Sequence, residues 1–185
     1  MAINKIYLEK KNQERIKQMF YDNKDFPSIQ LHDFFIPECY KQMKRETSKL
    51  KYKRSYLATS HSYSESNFNV VPKELMAFVS KIINKKVSKI KLKVLKFSWK
   101  DYVIINDKLK EKPGFDIILD ITDDWNQDYG GSLVYVDGSG DHFHIPPKGN
   151  TLTIAERKKG VQKFVQYVNN LSKDKKRCLI VATVN

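Results

Sequence analysis

The sequence predicts an α+β chain in which helices come first and a small β-sandwich or jelly roll follows. Three observations predict it. Apolar residues recur at helical spacing as far as residue 83. From residue 89 the period changes to two. After that, turn clusters such as Asp137-Gly138-Ser139-Gly140 and Pro146-Pro147-Lys148-Gly149 divide the chain into short, evenly spaced strands.

Residues 8–21 are polar except for Leu8, Ile16, Met19 and Phe20, which share one face and read as an outer helix. Residues 27–31 read as extended. A second helix opens at Ile36-Pro37, where a proline suits the first turn, and carries Tyr40, Met43 and Leu50. Residues 52–69, rich in Ser, Tyr and Asn, read as a strand or loop that covers something. A third helix from Pro72 has Leu75, Phe78, Val79, Ile82 and Ile83 on one stripe. In residues 89–94, lysines face one way and Ile90, Leu92 and Val94 the other. Strands then follow at 102–105, 115–121, 132–136, 142–145, 151–155, 162–168 and 178–184.

A length of 185 residues, 41% hydrophobic, is enough for one packed domain. No apolar run approaches the roughly 18 residues a membrane span needs, and residues 1–10 lack the apolar segment of a signal peptide. These features predict a cytoplasmic protein. Two distant cysteines, Cys39 and Cys178, argue against a disulfide framework or a thiolate zinc site. The net charge of +13 comes mostly from lysines spread along the chain. That reads first as a compositional bias and second as a surface for a polyanion, including nucleic acid. Lysines and tyrosines in 49–63 would suit single-stranded nucleic acid, or equally a lid over the sandwich mouth. Asp120, Asp123, Asp124 and Asp128 cluster around Trp125, at a strand end and turn where Asp is common for backbone reasons.

An ordered series runs through the second half: Trp125, Gly130-Gly131-Ser132-Leu133, Ile145-Pro146, Asn150-Thr151-Leu152, residues 165–168 and Arg177. It resembles the prolyl-hydroxylase-like branch of the 2-oxoglutarate/Fe(II) dioxygenases, over roughly residues 26–185. The resemblance implies a double-stranded β-helix (jelly roll) with N-terminal supporting helices, in a single domain of 1–185. Residues 1–88 would be mainly helical support and lid, and 89–185 the core.

The resemblance also implies Fe(II) held by an H-x-D pair and a later histidine, and 2-oxoglutarate held by a basic residue on the last strand. Arg177 matches the cosubstrate clamp, a role that suits a guanidinium. The metal positions depart from the pattern. With Asp107 as the carboxylate, Ile105 stands where the first histidine belongs; one residue later, Asn106 and Lys108 replace the pair. Lys163 stands at the distal histidine. Isoleucine binds no metal and lysine binds only when deprotonated. An H-x-H pair, His142 and His144, is an alternative metal site, with Asp141 or His61 as third ligand. Lys163 and Arg177 together would make a cationic pocket for a dicarboxylate without iron, unless the interior collapses around Ile104, Ile105 and Phe164. Two functions stay open. One is a 2-oxoglutarate-dependent oxygenase acting on a protein or peptide side chain. The other is a non-catalytic relative, a pseudoenzyme that binds a dicarboxylate, a protein or nucleic acid.

Overall fold

A computed structural model of the chain describes residues 2–70, 72–87, 90–105 and 112–184. Helices α1 (Lys10–Asp22), α2 (Pro37–Ser48) and α3 (Lys73–Ile82) form where the apolar spacing places them. Ile16 and Phe20, then Met43 and Thr47, then Leu75, Phe78, Val79 and Ile82 are the buried stripes. Each large apolar side chain so buried stabilises the fold by about 1.5–3 kcal/mol.

The strands are β1 (Ser28–Leu31), β2 (Lys53–Leu57), β3 (His61–Phe68), β4 (Leu92–Phe97), β5 (Tyr102–Val103), β6 (Gly114–Asp120), β7 (Leu133–Val136), β8 (His142–Ile145), β9 (Thr151–Arg157), β10 (Gln162–Val165) and β11 (Arg177–Val184). All pair antiparallel. From β4 onward the chain crosses back and forth between two four-stranded walls, β4-β11-β6-β9 and β5-β10-β7-β8, except at the β7–β8 hairpin, which stays within the second. That alternation is the double-stranded β-helix. β1 extends the first wall beyond β9, and β3 with β2 extends it beyond β4. β3 also pairs with β5 through His61 and Val103, joining the walls along one side. On the opposite side β1 meets β8, where Gln30 Nε2 donates to the His144 carbonyl at 3.5 Å.

The larger wall is covered on both faces, which is why its central strands read as nearly continuous apolar runs. Ile117, Leu119, Leu152, Ile154, Cys178, Ile180 and Ala182 pack outward against the helices. Ile118, Ala155 and Leu179 pack inward with Leu133, Tyr135 and Val165 of the smaller wall. β4 keeps the expected alternation throughout, but its second face turns from Lys93 to the apolar Leu95 and Phe97. Leu92 and Val94 face the helices, but Leu95 and Phe97 line the interior, because the strand enters the sandwich there.

Of the two readings of residues 52–69, strand and loop, the strand is what forms. β2 and β3 form a hairpin held in the sheet by the β3–β4 ladder. Arg54 clasps it: Nη1 donates to Asp101 Oδ2 at 3.0 Å and Nη2 to Ser62 Oγ at 2.6 Å. Asp101 is fully buried and also accepts from Ser62 Oγ and the Ser98 N–H, each at 2.8 Å. No helix among the described residues is long and apolar enough to cross a membrane.

Candidate functional site

On strands with period-two side chains, Asp116, Ile118 and Asp120 of β6 all point between the walls, as do Arg177, Leu179, Val181 and Thr183 of β11. Two carboxylates and an arginine inside a sandwich must find partners. They do so in two separate networks.

The first surrounds a cavity of about 320 Å³ between the walls. Asp116 stands at its polar end. Its Oδ1 accepts from Arg157 Nη1 at 2.6 Å and Thr183 Oγ1 at 2.9 Å. Its Oδ2 accepts from Tyr135 Oη at 2.8 Å and Lys163 Nζ at 3.0 Å. Four donors fill the roughly four acceptor positions of a carboxylate. Burial pushes the Asp116 carboxyl upward, but Lys163 and Arg157, with hydrogen bonds from Lys163 and Tyr135, outweigh it and hold the group below the usual carboxylate range. The remaining lining is mainly apolar, including Leu95, Phe97, Ile118, Leu133 and Leu179. Ser60 and His61 sit near the mouth, where Ser55 Oγ lies 2.9 Å from His61 Nε2 and Ser60 Oγ 3.2 Å from Nδ1.

The second network holds Arg177, which is fully buried and is not among the residues lining the cavity. Its guanidinium donates to the Gly131 carbonyl, to Asp120 Oδ2 at 3.4 Å and to the Ile145 carbonyl at 3.4 Å. Its Nε is buried and without a hydrogen-bond partner among the described residues. The Gly-Gly pair explains the approach. Gly131 has φ +76°, and a Cβ there would come within 3.2 Å of the Trp125 ring and 3.6 Å of Arg177 Cδ. Trp125 Nε1 donates to the Gly130 carbonyl at 2.9 Å. Asn150 bonds both backbone groups of Phe35 at 3.0 Å. The ordered Trp, Gly-Gly, Asn and Arg series therefore pins loops and strand ends together. Of the aspartates around Trp125, Asp120 joins this network and caps the Thr122 N–H, while Asp123 pairs with Lys44 on the surface.

The structure thus brings Lys163 to the cavity and leaves Arg177 in a network of its own. Ile104 and Phe164 line the cavity without closing it, whereas Ile105 is exposed. Asp107, with Asn106 and Lys108, lies outside the described residues. His142 and His144 share one exposed face of β8, rings 5.1 Å apart, and no third ligand joins them: among the described residues no three His, Cys, Asp or Glu side chains are grouped to hold a metal. His61 is on β3 at the cavity mouth, and Asp141 accepts from Ser139 within its turn.

Solved structures supply the comparison. A prolyl hydroxylase from Trichoplax adhaerens, in complex with a hypoxia inducible factor oxygen degradation domain peptide fragment, superposes with TM-score 0.69 at 14% identity, covering 96% of this chain and 94% of its own. A 2OG-Fe(II) oxygenase family oxidoreductase from Burkholderia pseudomallei gives TM-score 0.69 at 8% identity, covering 95% and 91%. A Pseudomonas putida prolyl-4-hydroxylase gives 0.65 at 10%, covering 91% and 97%. The chain has the fold of the prolyl-hydroxylase-like 2-oxoglutarate/Fe(II) oxygenases. No family model and no curated protein matches the sequence.

Set against a prolyl-hydroxylase-like fold, the described residues do not fit Fe(II). Where the resemblance expects the distal histidine, Lys163 presents an ammonium ion-paired with a buried carboxylate, and such a group has no lone pair to give. They fit 2-oxoglutarate no better. Arg177 is directed at Asp120 and two carbonyls, and Asp116 already places a carboxylate in the cavity. Sequence reasoning passed over Asp116, Arg157 and Asp101. The signal available for Asp116 was a charged residue on the inward face of an apolar strand, Phe115-Asp116-Ile117-Ile118-Leu119.

Proposed function

We propose that this chain is a prolyl-hydroxylase-like fold without the iron chemistry, a pseudoenzyme that uses the interior of its double sheet as a binding site. The observation that carries this reading is the Lys163–Asp116 pair, closed by Arg157, Tyr135 and Thr183, where a metal-binding interior needs open donor groups. A fixed cation beside a buried carboxylate neutralises it as a metal ion would, with no coordination sites left for a cosubstrate or dioxygen.

The Trichoplax adhaerens neighbour, solved with a peptide fragment, supports a polypeptide partner; the exposed Leu57 and Ile104, joined through Ser60 by hydrogen bonds of 2.8 Å, are apolar surface that such a partner would meet. A nucleic-acid partner has no support in these neighbours. Two free cysteines, one buried with its thiol pushed up to about 12 by burial, support a reducing, cytoplasmic setting.

The test is thermal melting of metal-stripped protein with Mn(II), with 2-oxoglutarate, with both and with neither. A ligand at about 100 times its dissociation constant adds roughly 2.7 kcal/mol to a folded state that binds it. The expected result is no shift with Mn(II), alone or combined. Stabilisation that requires both additives would overturn this reading in favour of an oxygenase. Stabilisation by 2-oxoglutarate alone would leave the iron-free reading standing and make the ligand a dicarboxylate.

A further inference from the structure

Resting on that iron-free reading, we infer that the cavity is a site for a small, neutral, predominantly apolar molecule about two fused or linked rings in size. The charged groups at the cavity are already committed to one another. Asp116 accepts four hydrogen bonds, and two of its donors, Arg157 and Lys163, are cations. An incoming anion would have to compete with a buried carboxylate for Lys163, and an incoming cation would compete with Lys163 and Arg157 for Asp116. A charged ligand that leaves water without a partner is strongly disfavoured. Both ring nitrogens of His61 face serine hydroxyls. What the interior offers a newcomer is the apolar surface of Leu95, Phe97, Val103, Ile118, Leu133 and Leu179.

Size decides the scale. Dry apolar cavities of about 150 Å³ take one benzene ring. A volume of about 320 Å³ is roughly twice that, and falls at the small end of ligand pockets. The walls are strands rather than loops, so the shape is largely formed before binding, which lowers the ordering cost.

The probe is N-phenyl-naphthylamine, a neutral two-part aromatic that fluoresces in apolar surroundings, titrated against the full chain. The expected result is saturable one-to-one binding that its sulfonated relative, anilinonaphthalene sulfonate, does not displace at equal concentration. Val181 lines the cavity from β11. Val181→Phe fills the space, and should weaken the probe by about tenfold or more with the circular dichroism unchanged. Should that variant not fold, methyl NMR of the unaltered chain gives the same answer: probe-induced shifts are expected at Leu95, Leu133, Leu179 and Val181. Non-saturable binding, displacement by the sulfonate, or shifts confined to other methyls would overturn the inference. Mn(II) and 2-oxoglutarate melts on the same sample separate the two readings. A probe failure with no metal effect sinks this inference alone, whereas stabilisation by the pair of additives sinks the iron-free reading beneath it.

Discussion

Asp116→Ala removes a buried carboxylate that is ion-paired with two cations, Arg157 and Lys163, inside the sandwich. The Asp116 side chain is 3% exposed and Arg157 is 2% exposed, so neither reaches water to recover its solvation. Breaking one partner of a buried pair costs about 3–5 kcal/mol. The hydroxyls of Tyr135 and Thr183 lose an acceptor at the same time, at about 1 kcal/mol each, and these terms share one group and do not simply add. Taking 3–5 kcal/mol as the total, Tm falls by roughly 6–20 °C for a chain of this size. The pH dependence carries a second signature. The folded carboxyl is held below its unfolded value of about 3.9, so its stabilisation is complete well above that pH and is lost as pH falls through the folded value. Asp116→Asn keeps the shape and should flatten this part of the acid limb while costing less at pH 7 than the alanine change. Melting followed by far-ultraviolet circular dichroism at pH 7 and on an acid series measures both. An alanine variant within about 2 °C of the parent would refute the reasoning, since a shift that small corresponds to under about 1 kcal/mol.

Arg177→Met strands Asp120 in the interior and should cost about 3–5 kcal/mol by urea unfolding, while adding Asp120→Asn should recover at least about 1 kcal/mol; purely additive losses would mean the two groups are not coupled. Gly130→Ala and Gly140→Ala separate backbone strain from collision. Both glycines have positive φ, but a Cβ at Gly130 would lie 2.2 Å from the Tyr167 carbonyl whereas nothing lies within 4 Å at Gly140. Both changes carry the positive-φ cost of about 1–2 kcal/mol, and Gly130→Ala should exceed Gly140→Ala by at least about 1 kcal/mol. Arg54→Ala opens the clasp on Asp101, so amide exchange in β2 and β5 should quicken by about tenfold or more while α3 is unaffected.

Much of the fold was legible because it rests on local patterns. Helical stripes such as Leu75, Phe78, Val79 and Ile82 and strand-breaking clusters such as Pro146-Pro147 report burial and turning over a few residues. The series from Trp125 to Arg177 was legible too, and its residues meet, but what they do is hold strand ends and a buried arginine. The candidate site was much less readable. Asp116 meets Arg157, Lys163 and Thr183 across 41, 47 and 67 residues of chain, and no periodicity announces such partners. Lys163 drew notice through the resemblance, as the residue standing where a histidine was expected, but its carboxylate partner was not visible. The 52–69 segment stayed open between strand and loop because its exposed β2 strand carries no apolar pattern to announce that β3 belongs to the main ladder.

The joining of the two walls at β3 has a consequence for the far side of the molecule. The path of the sheet ends in β1 and β8, with β2 a further edge off that path against β3, and such edges carry backbone groups that would accept a strand from another molecule. Because β3 holds the walls together on one side, the curl brings these two ends to face each other, touching where Gln30 reaches His144. Each edge then stands in the way of a foreign strand at the other. β8, only four residues long and carrying two exposed histidines, adds its own obstacle. The β1 and β8 edges are thereby guarded by geometry, while the exposed β2 edge, paired only with β3, is guarded by the charges of Lys53 and Arg54.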